Sequence, residues 1–326
     1  MAARILREKG KYSVVNLHAP TGFVYGLLRR ALRRKHGPPY VMTLHGLEER
    51  RRHVMRREAE KGKAWNFALQ NRLWHRLYHQ PTFRFSIQTA DGAICLNRET
   101  WSYLQLRYDR DAERVWYVPN GVEGRFFLPR EFPPRLAPRL LYVGTWLDQR
   151  GTYYLSQALQ VLSEKLPEIR LTVAGCFTDP LEVKAAFDSS LHSQIHVIPF
   201  VPAADMPALY AGHDIFVFPS LLEGMPLALL EAMATGMPVV TTETCGMTDV
   251  VEHEVNGLLV SPANAPALVQ AILRLAVSAE LRKQLGQAAQ ATMRRYTWDK
   301  VARKVEKVLA LVMENGKPGS NGNERA

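Results

Sequence analysis

The chain has 326 residues, of which 47% are hydrophobic and 22% charged. That apolar content excludes a disordered chain, and the length suits two domains of ordinary size. The net charge of +11 sits at one end: residues 1–80 hold 18 Lys and Arg against 5 Asp and Glu, and the remainder nets −2. Such asymmetry points to an anionic partner, whether nucleic acid, a membrane surface or a phosphorylated substrate.

Met1–Lys11 is charged and lacks the apolar stretch of a signal peptide. Short runs rich in Val, Ile, Leu and Tyr then predict strands at Ser13–His18, Tyr40–Leu44, Gly92–Leu96 and Val115–Val118. Phe126–Pro138 contains Pro129, Pro133, Pro134 and Pro138 and reads as a stiff linker. A second strand series follows at Arg139–Gly144, Arg170–Ala174, Ile195–Ile198, Ile215–Val217 and Pro238–Thr241. Helical periodicity marks Thr152–Lys165, Ala204–Gly212 and Thr297–Met313. The alternation predicts an α/β protein with parallel sheets covered on both faces. The expected division is 1–128 and 139–293, with a linker at 129–138, a helix in 294–314 and a disordered tail at 315–326. No run of 18 apolar residues occurs, so the reading is soluble or peripheral. Cys95, Cys176 and Cys245 lie far apart without CxxC spacing, which argues against disulfides and a cysteine zinc site and suits a reducing compartment.

In open parallel sheets ligands sit beyond the carboxyl ends of the strands. The loops after Gly144, Ala174, Phe218 and Thr241 are therefore the candidates. The strongest local pattern is Pro219–Glu231, where a strand runs into a loop and the loop opens a helix. Pro226 suits the first helical turn. The free N–H groups and dipole of a helix start form an anion site. Glu223 and Glu231, eight apart, would grip two parts of one extended polar ligand. Equally, Glu223 would cap the helix and Glu231 would be a solvated helix residue; spacing does not separate these readings. The second pattern is Val143–Gly151, after the first strand of domain two. Arg150 there would pair with a phosphate bidentately, or be an ordinary surface arginine beside a turn glycine.

Taken together and in order, these segments resemble the family 4 glycosyltransferases, retaining enzymes of the GT-B type. The resemblance is carried by Tyr142-Val143-Gly144 before Arg150-Gly151, Leu171–Gly175, Met206–Tyr210, Asp214–Ser220, Glu223-Gly224 through Glu231–Ala234, Gly236–Val240 and Asn256–Leu259. In the first domain, Thr43-Leu44-His45-Gly46 and Val118–Val122 match. It implies two Rossmann-like domains and a nucleotide-sugar donor held by the second. By resemblance, Glu231 would bond the ribose hydroxyls. Glu223 and the backbone of Gly224, Met225, Pro226 and Leu227 would contact the sugar and diphosphate. Gly144, Thr145 and Arg150 would line the donor loop, with Arg150 neutralising the diphosphate. His45 matches a histidine near the donor sugar. His18, at a strand end, would contact the acceptor or be a hydrogen-bonded structural histidine. The family's retention is explained by front-side attack on a hydroxyl acceptor, with Glu223 not a covalent nucleophile. No metal and no cofactor is implied beyond the donor itself.

Three departures stand out. Many members carry Arg where this chain has Thr145. The glycine often found before the base-contacting loop is replaced around Pro199-Phe200-Val201. The family's first strand and glycine-rich loop should precede Tyr12, so the first domain is expected to be truncated, by roughly 60–90 residues. The alternatives are a non-catalytic remnant binding a sugar nucleotide or a membrane surface, and a sugar-nucleotide epimerase.

Other patterns carry less. Asp109-Arg110-Asp111 is a DxD in a charged turn, and the pairs His75/His79 and His192/His196 lack the glutamate of a zinc motif. They read as turn residues and surface histidines. Arg29–Lys35, Arg50–Arg57 and the Trp-containing stretch Trp65–Tyr78 suit an anionic bilayer interface, or an apolar stripe facing the core with a solvated basic face. No nucleic-acid motif accompanies the charge. The expected partners are a nucleotide-sugar, a lipid-linked or anionic hydroxyl acceptor and an anionic membrane surface, with no nucleic acid. The expected location is cytoplasmic, peripheral on the inner face of the cytoplasmic membrane.

Overall fold

A computed structural model of the chain describes residues 2, 5, 11–19, 21–31, 37–60, 74–134 and 137–315. The basic stretch at 32–35, most of Trp65–Tyr78 and the tail from 316 lie outside the described residues. The chain forms two compact units, Met1–Pro119 with Val301–Ala326, and Asn120–Lys300.

The first unit holds four parallel strands in the order β1 (Val15–His18), β2 (Tyr40–Leu44), β3 (Gly92–Cys95) and β4 (Val115–Tyr117). Successive side chains on a strand point to opposite faces, so each strand feeds two cores. Leu17, Tyr40, Met42, Leu44, Ala93 and Cys95 pack on one face. They meet α1 (Gly22–Ala31) through Tyr25, α3 (Gln80–Thr89) through Phe83 and Ile87, and α4 (Arg98–Tyr108) through Leu104. The helix α2 (Glu48–Glu60) lies between β2 and α3 in the chain. Val41, Ile94 and Val118 pack on the opposite face, against Val301, Val308 and Val312. Those valines belong to the terminal helix α11 (Trp298–Asn315), so the last helix completes the first unit's core.

The second unit is a six-stranded parallel sheet. Its strands are β5 (Arg139–Val143), β6 (Arg170–Ala174), β7 (Ile195–Ile198), β8 (Ile215–Phe218), β9 (Val239–Thr242) and β10 (Leu258–Val260), ordered β10-β9-β8-β5-β6-β7. The chain builds outward from β5 to β7, then returns to the other side of β5 with β8. The switch point therefore lies between β5 and β8, where open α/β sheets bind ligands. The helices are α5 (Thr152–Lys165), α6 (Pro180–Lys184), α7 (Met206–Ala211), α8 (Leu227–Ala234), α9 (Ala265–Val277) and α10 (Ala279–Met293).

The division falls at Pro119–Asn120, ahead of the expected 129–138 linker. That proline-rich segment is fastened to the second unit. Arg130 donates to the carbonyls of Tyr210 and His213, Gln290 Nε2 donates to Leu128 O at 2.9 Å, and Arg282 Nη2 donates to Pro133 O at 2.9 Å. Prolines cannot donate, so the segment's carbonyls are satisfied by long polar side chains instead. Among the described residues no helix is long and apolar enough to cross a membrane.

Candidate active site

The sheet's carboxyl edge is assembled from two loops. The first leaves β5 at Gly144, passes Thr145 and Arg150, and enters α5 at Gly151. The second leaves β8 at Pro219 and enters α8 after Pro226. They are fastened to one another: Leu221 N donates to Gln149 O at 2.8 Å, and the Ser220 hydroxyl lies 3.2 Å from the same carbonyl. Gly151 has φ +71°, and a Cβ there would collide with Pro219 O. Glycine alone permits both that backbone and that approach.

This junction brings Arg150 and Glu223 into an ion pair, with side chains 22% and 10% exposed. The Ser220 hydroxyl also lies 3.0 Å from Glu223 Oε1. The Arg150 guanidinium stands 5.6 Å over the Phe218 ring. Burial pulls its pKa down, and the neighbouring Tyr142 hydroxyl acts in the opposite sense. Tyr142 donates to Thr145 O at 3.0 Å, which fixes the turn just after Gly144. Arg150 Nε, Gln149 Oε1 and Thr244 Oγ1 are buried without a hydrogen-bond partner. Buried polar groups are normally paired, so a group of orphans at one sheet edge is what a polar ligand site presents.

Pro226 occupies the cap position before Leu227, one step ahead of its expected place within the first turn. No side chain caps α8, so its first N–H groups are not taken by a capping residue. The preceding loop is held from two sides. Asn120 Nδ2 donates to Met225 O at 2.8 Å, and Gly246, in the loop after β9, packs so closely that a Cβ would collide with Gly224 O.

Glu231 lies four residues into α8, with a different set of partners. Tyr210 Oη donates to its Oε2 at 2.9 Å. Desolvation raises the Glu231 pKa, against the Tyr210 bond and the charge of Arg125, which lower it. Neither glutamate takes the blander role open to it in the sequence. Glu223 is paired with Arg150 and does not cap α8, and Glu231 is largely withdrawn from water.

His18 ends β1, and His45 directly follows the last residue of β2. His18 Nδ1 and His45 Nε2 are 2.7 Å apart, with rings stacked at 5.0 Å. One proton at most lies between two such nitrogens. Desolvation and the His18 charge hold the His45 pKa below its usual value. Asp109 and Asp111 are occupied structurally: Asp109 ends α4 in a left-handed conformation with φ 49°, and Asp111 accepts from Glu113 N at 3.1 Å. No group of three His, Cys, Asp or Glu suited to a metal occurs among the described residues.

Residues 1–124 match the family model described as Glycosyltransferase Family 4, and residues 137–277 match the one described as Glycosyl transferases group 1. The chain belongs to glycosyltransferase family 4. Among its relatives is the UDP-Gal:alpha-D-GlcNAc-diphosphoundecaprenol alpha-1,3-galactosyltransferase of Escherichia coli, 25% identical over 283 residues, spanning 83% of this chain and 68% of that one. Sucrose-phosphate synthase from Thermosynechococcus elongatus superposes with a TM-score of 0.75 at 19% identity, over 96% of this chain and 77% of that one. Anabaena Alr3699/HepE in complex with UDP superposes at 0.71 and 17% identity, over 95% and 82%. The fold is thus GT-B, with two Rossmann-like domains.

In this glycosyltransferase the residues without an assigned role in the sequence reading are the ones that hold loops. Asn120 and Tyr210 stood inside recognisable motifs, but their bonds run to positions 105 and 21 residues away. Ser220 also stood inside a motif, without its bonds to Gln149 and Glu223 being visible there, and Gly246 gave no signal beyond its residue type.

Proposed function

We propose that this glycosyltransferase moves a sugar from a nucleotide-sugar donor to a hydroxyl acceptor with retention of configuration and without a metal. The observation that carries this reading is the Arg150–Glu223 pair at the switch point, beside the uncapped start of α8. A diphosphate would be met there by Arg150, whose five donors can serve a phosphate and a carboxylate together. Its unpartnered Nε is one donor already available. Glu223 would accept from sugar hydroxyls, and Glu231 from the ribose. The backbone of Gly224–Leu227 lines the route between them. As the bond from C1 to the diphosphate oxygen breaks, negative charge grows on that oxygen. Arg150 and the first N–H groups of α8 stabilise it, in the manner of an oxyanion hole. The acceptor oxygen bonds to C1 on the same face, and its proton passes to the leaving oxygen, so no enzyme adduct forms. By the resemblance, His45 would act near the donor sugar and His18 on the acceptor. The E. coli relative's name, with UDP-Gal and a diphosphoundecaprenol acceptor, and the UDP-bound Anabaena structure both support this reading.

The test is nucleotide release from a panel of UDP- and GDP-sugars, with binding measured separately. Release that depends on acceptor and disappears in Glu231→Ala supports the transferase. Donor binding without turnover supports the non-catalytic remnant, and turnover without acceptor supports the epimerase. A glycosyl adduct trapped on Glu223 would overturn front-side attack.

One observation favours an anionic surface as the acceptor's setting. A cavity of about 600 Å³ in the first unit is lined by Arg76, Arg84, Arg107 and Glu49. Glu49 is occupied by the hydroxyls of Tyr103 and Tyr108, and none of the three arginines pairs with a carboxylate among the described residues. Trp74 and Leu77, 55% and 73% exposed, flank Arg76 in the chain. An exposed Trp and Leu beside cations without carboxylate partners suit a lipid headgroup layer. These side chains support a peripheral association with an anionic membrane surface, for which we propose the inner face of the cytoplasmic membrane.

A further inference from the structure

The second unit has a cavity at the other end of its sheet. It has a volume of about 400 Å³, within the range of small-molecule sites. Arg139 and Arg170, opposite one another in register, open β5 and β6. They stand at the amino ends of the strands, whereas Gly144 and Pro219 stand at the carboxyl ends. The cavity is therefore separate from the donor loops.

Its lining is basic. Arg139 is balanced by the buried Asp214, which accepts from its backbone N at 2.8 Å and its Nε at 3.3 Å. Arg170 and Lys184 pair with no carboxylate among the described residues. Each donates one hydrogen bond to a carbonyl of the turn before β7, Arg170 Nη1 to Ser193 O at 3.2 Å and Lys184 Nζ to His192 O at 3.0 Å. Those bonds hold the two cations at the cavity wall and leave further N–H donors on each. No acidic side chain lines the space.

Two lining residues carry buried polar atoms without a partner: His192 Nε2 and Gln194 Oε1. An orphaned buried group costs about 1–3 kcal/mol, and both of these belong to residues that line one basic cavity, where a ligand would complete them. Their chemistry is specific. The Gln194 amide nitrogen already donates to Pro167 O at 3.2 Å, which leaves its oxygen needing a donor. The ionised phosphate of a monoester has no hydrogen to give it, so a hydroxyl elsewhere on the ligand supplies the donor; inorganic phosphate has its O–H only on the group that the cations hold. Metal binding is a poor fit, because the cations repel one and no three-ligand group occurs among the described residues.

We propose that this cavity binds a small hydroxylated phosphate ester, its phosphate held by Arg170, Lys184 and His192 and a hydroxyl donating to Gln194. The site is independent of the donor reading. Charge-assisted bonds to phosphate carry most of the affinity.

The experiment is calorimetric titration of the full chain with glycerol 3-phosphate, against inorganic phosphate as comparator. The ester should bind saturably and at least about tenfold more tightly than inorganic phosphate, one hydrogen bond's worth of discrimination. Arg170→Gln with Lys184→Gln should weaken it by about a hundredfold or more while the circular dichroism stays unchanged. Arg150→Ala should leave this affinity within about twofold. In the unaltered chain, the ester should shift the imidazole resonances of His192 and leave those of His45 in place. That last measurement stands even if the double variant unfolds. Absence of saturable binding, equal affinity for both probes, unchanged affinity in the double variant, loss in Arg150→Ala, or a silent His192 would each overturn the assignment.

Discussion

At the scale of single residues, three ionisable groups are held away from their ordinary behaviour, and each has a measurable consequence. Arg150 and Glu223 are half of one arrangement. Removing the arginine leaves a carboxylate that is 10% exposed without its cation. Arg150→Ala should therefore lose about 10²–10³ in kcat and also destabilise the second unit. Arg150→Lys should recover stability more than rate, because an ammonium cannot fork between phosphate and carboxylate. Steady-state kinetics beside thermal melts separates the two effects. Glu231 has the opposite balance. Desolvation raises its pKa, so ionising it works against the fold. That stability is intact below the usual carboxylate range and is lost as pH rises through the folded pKa. Glu231→Gln keeps a hydrogen-bond acceptor for Tyr210 without the charge. It should raise the melting temperature at pH 7, show no gain at pH 4, and still lose donor binding. His45 is depressed by desolvation and by His18. Below about pH 6.5 the unfolded chain takes up a proton that the native state refuses, so stability falls with acid between 6.5 and the folded value. His45→Gln should flatten that slope in urea titrations at pH 5.5 and 7.5; an unchanged slope counts against the stacked pair as its source.

At the scale of elements, the strands were the most legible part of the chain. Tyr40–Leu44, Arg170–Ala174 and Ile195–Ile198 occupy the bounds expected for them, because buried parallel strands are short unbroken apolar runs. Leu258–Val260 was missed as a strand, since three residues give no periodicity and the strand exists only by pairing with β9. The proline-rich segment shows a related limit, since the bonds that fasten it to the second unit are not announced by its residue types. Proline reports missing local hydrogen bonds, whereas Arg130, Arg282 and Gln290 supply distant ones. Residue type and order made the donor loops visible, but not what holds them. Gly151 and Gly246 do that work through close backbone approach. Gly246→Ala should push Gly224 and Met225 out of place and weaken donor binding by at least tenfold. Gly151→Ala adds the strain of a positive φ to its collision with Pro219, and should cost about 2 kcal/mol or more of stability. Isothermal titration and chemical denaturation distinguish the two; equal affinity in Gly246→Ala would remove its loop from the site.

At the scale of the whole molecule, charge and fold divide along the same line. The second unit's sheet, switch point and donor loops are electrically ordinary, and the excess of 13 positive charges lies in residues 1–80. Arg76 within that stretch, and Arg84 and Arg107 beyond it, surround a cavity without carboxylate partners among the described residues. Net charge bears on association and not on fold. A polybasic surface near anionic lipid gains about 1 kcal/mol per Lys or Arg, and that attraction falls off within a Debye length. The exposed Trp74 and Leu77 add an apolar contribution that salt does not screen. The full chain should therefore sediment with vesicles rich in anionic lipid at low salt and much less with neutral ones. Raising salt toward 0.5 M should remove most, but not all, of the binding. Arg84→Gln with Arg107→Gln should reduce the salt-sensitive part, and Trp74→Ala the salt-resistant part, with nucleotide-sugar affinity unchanged in both. Vesicle binding that ignores lipid charge, or its complete absence at low salt, would mean that the basic end of the chain serves a soluble anionic acceptor instead.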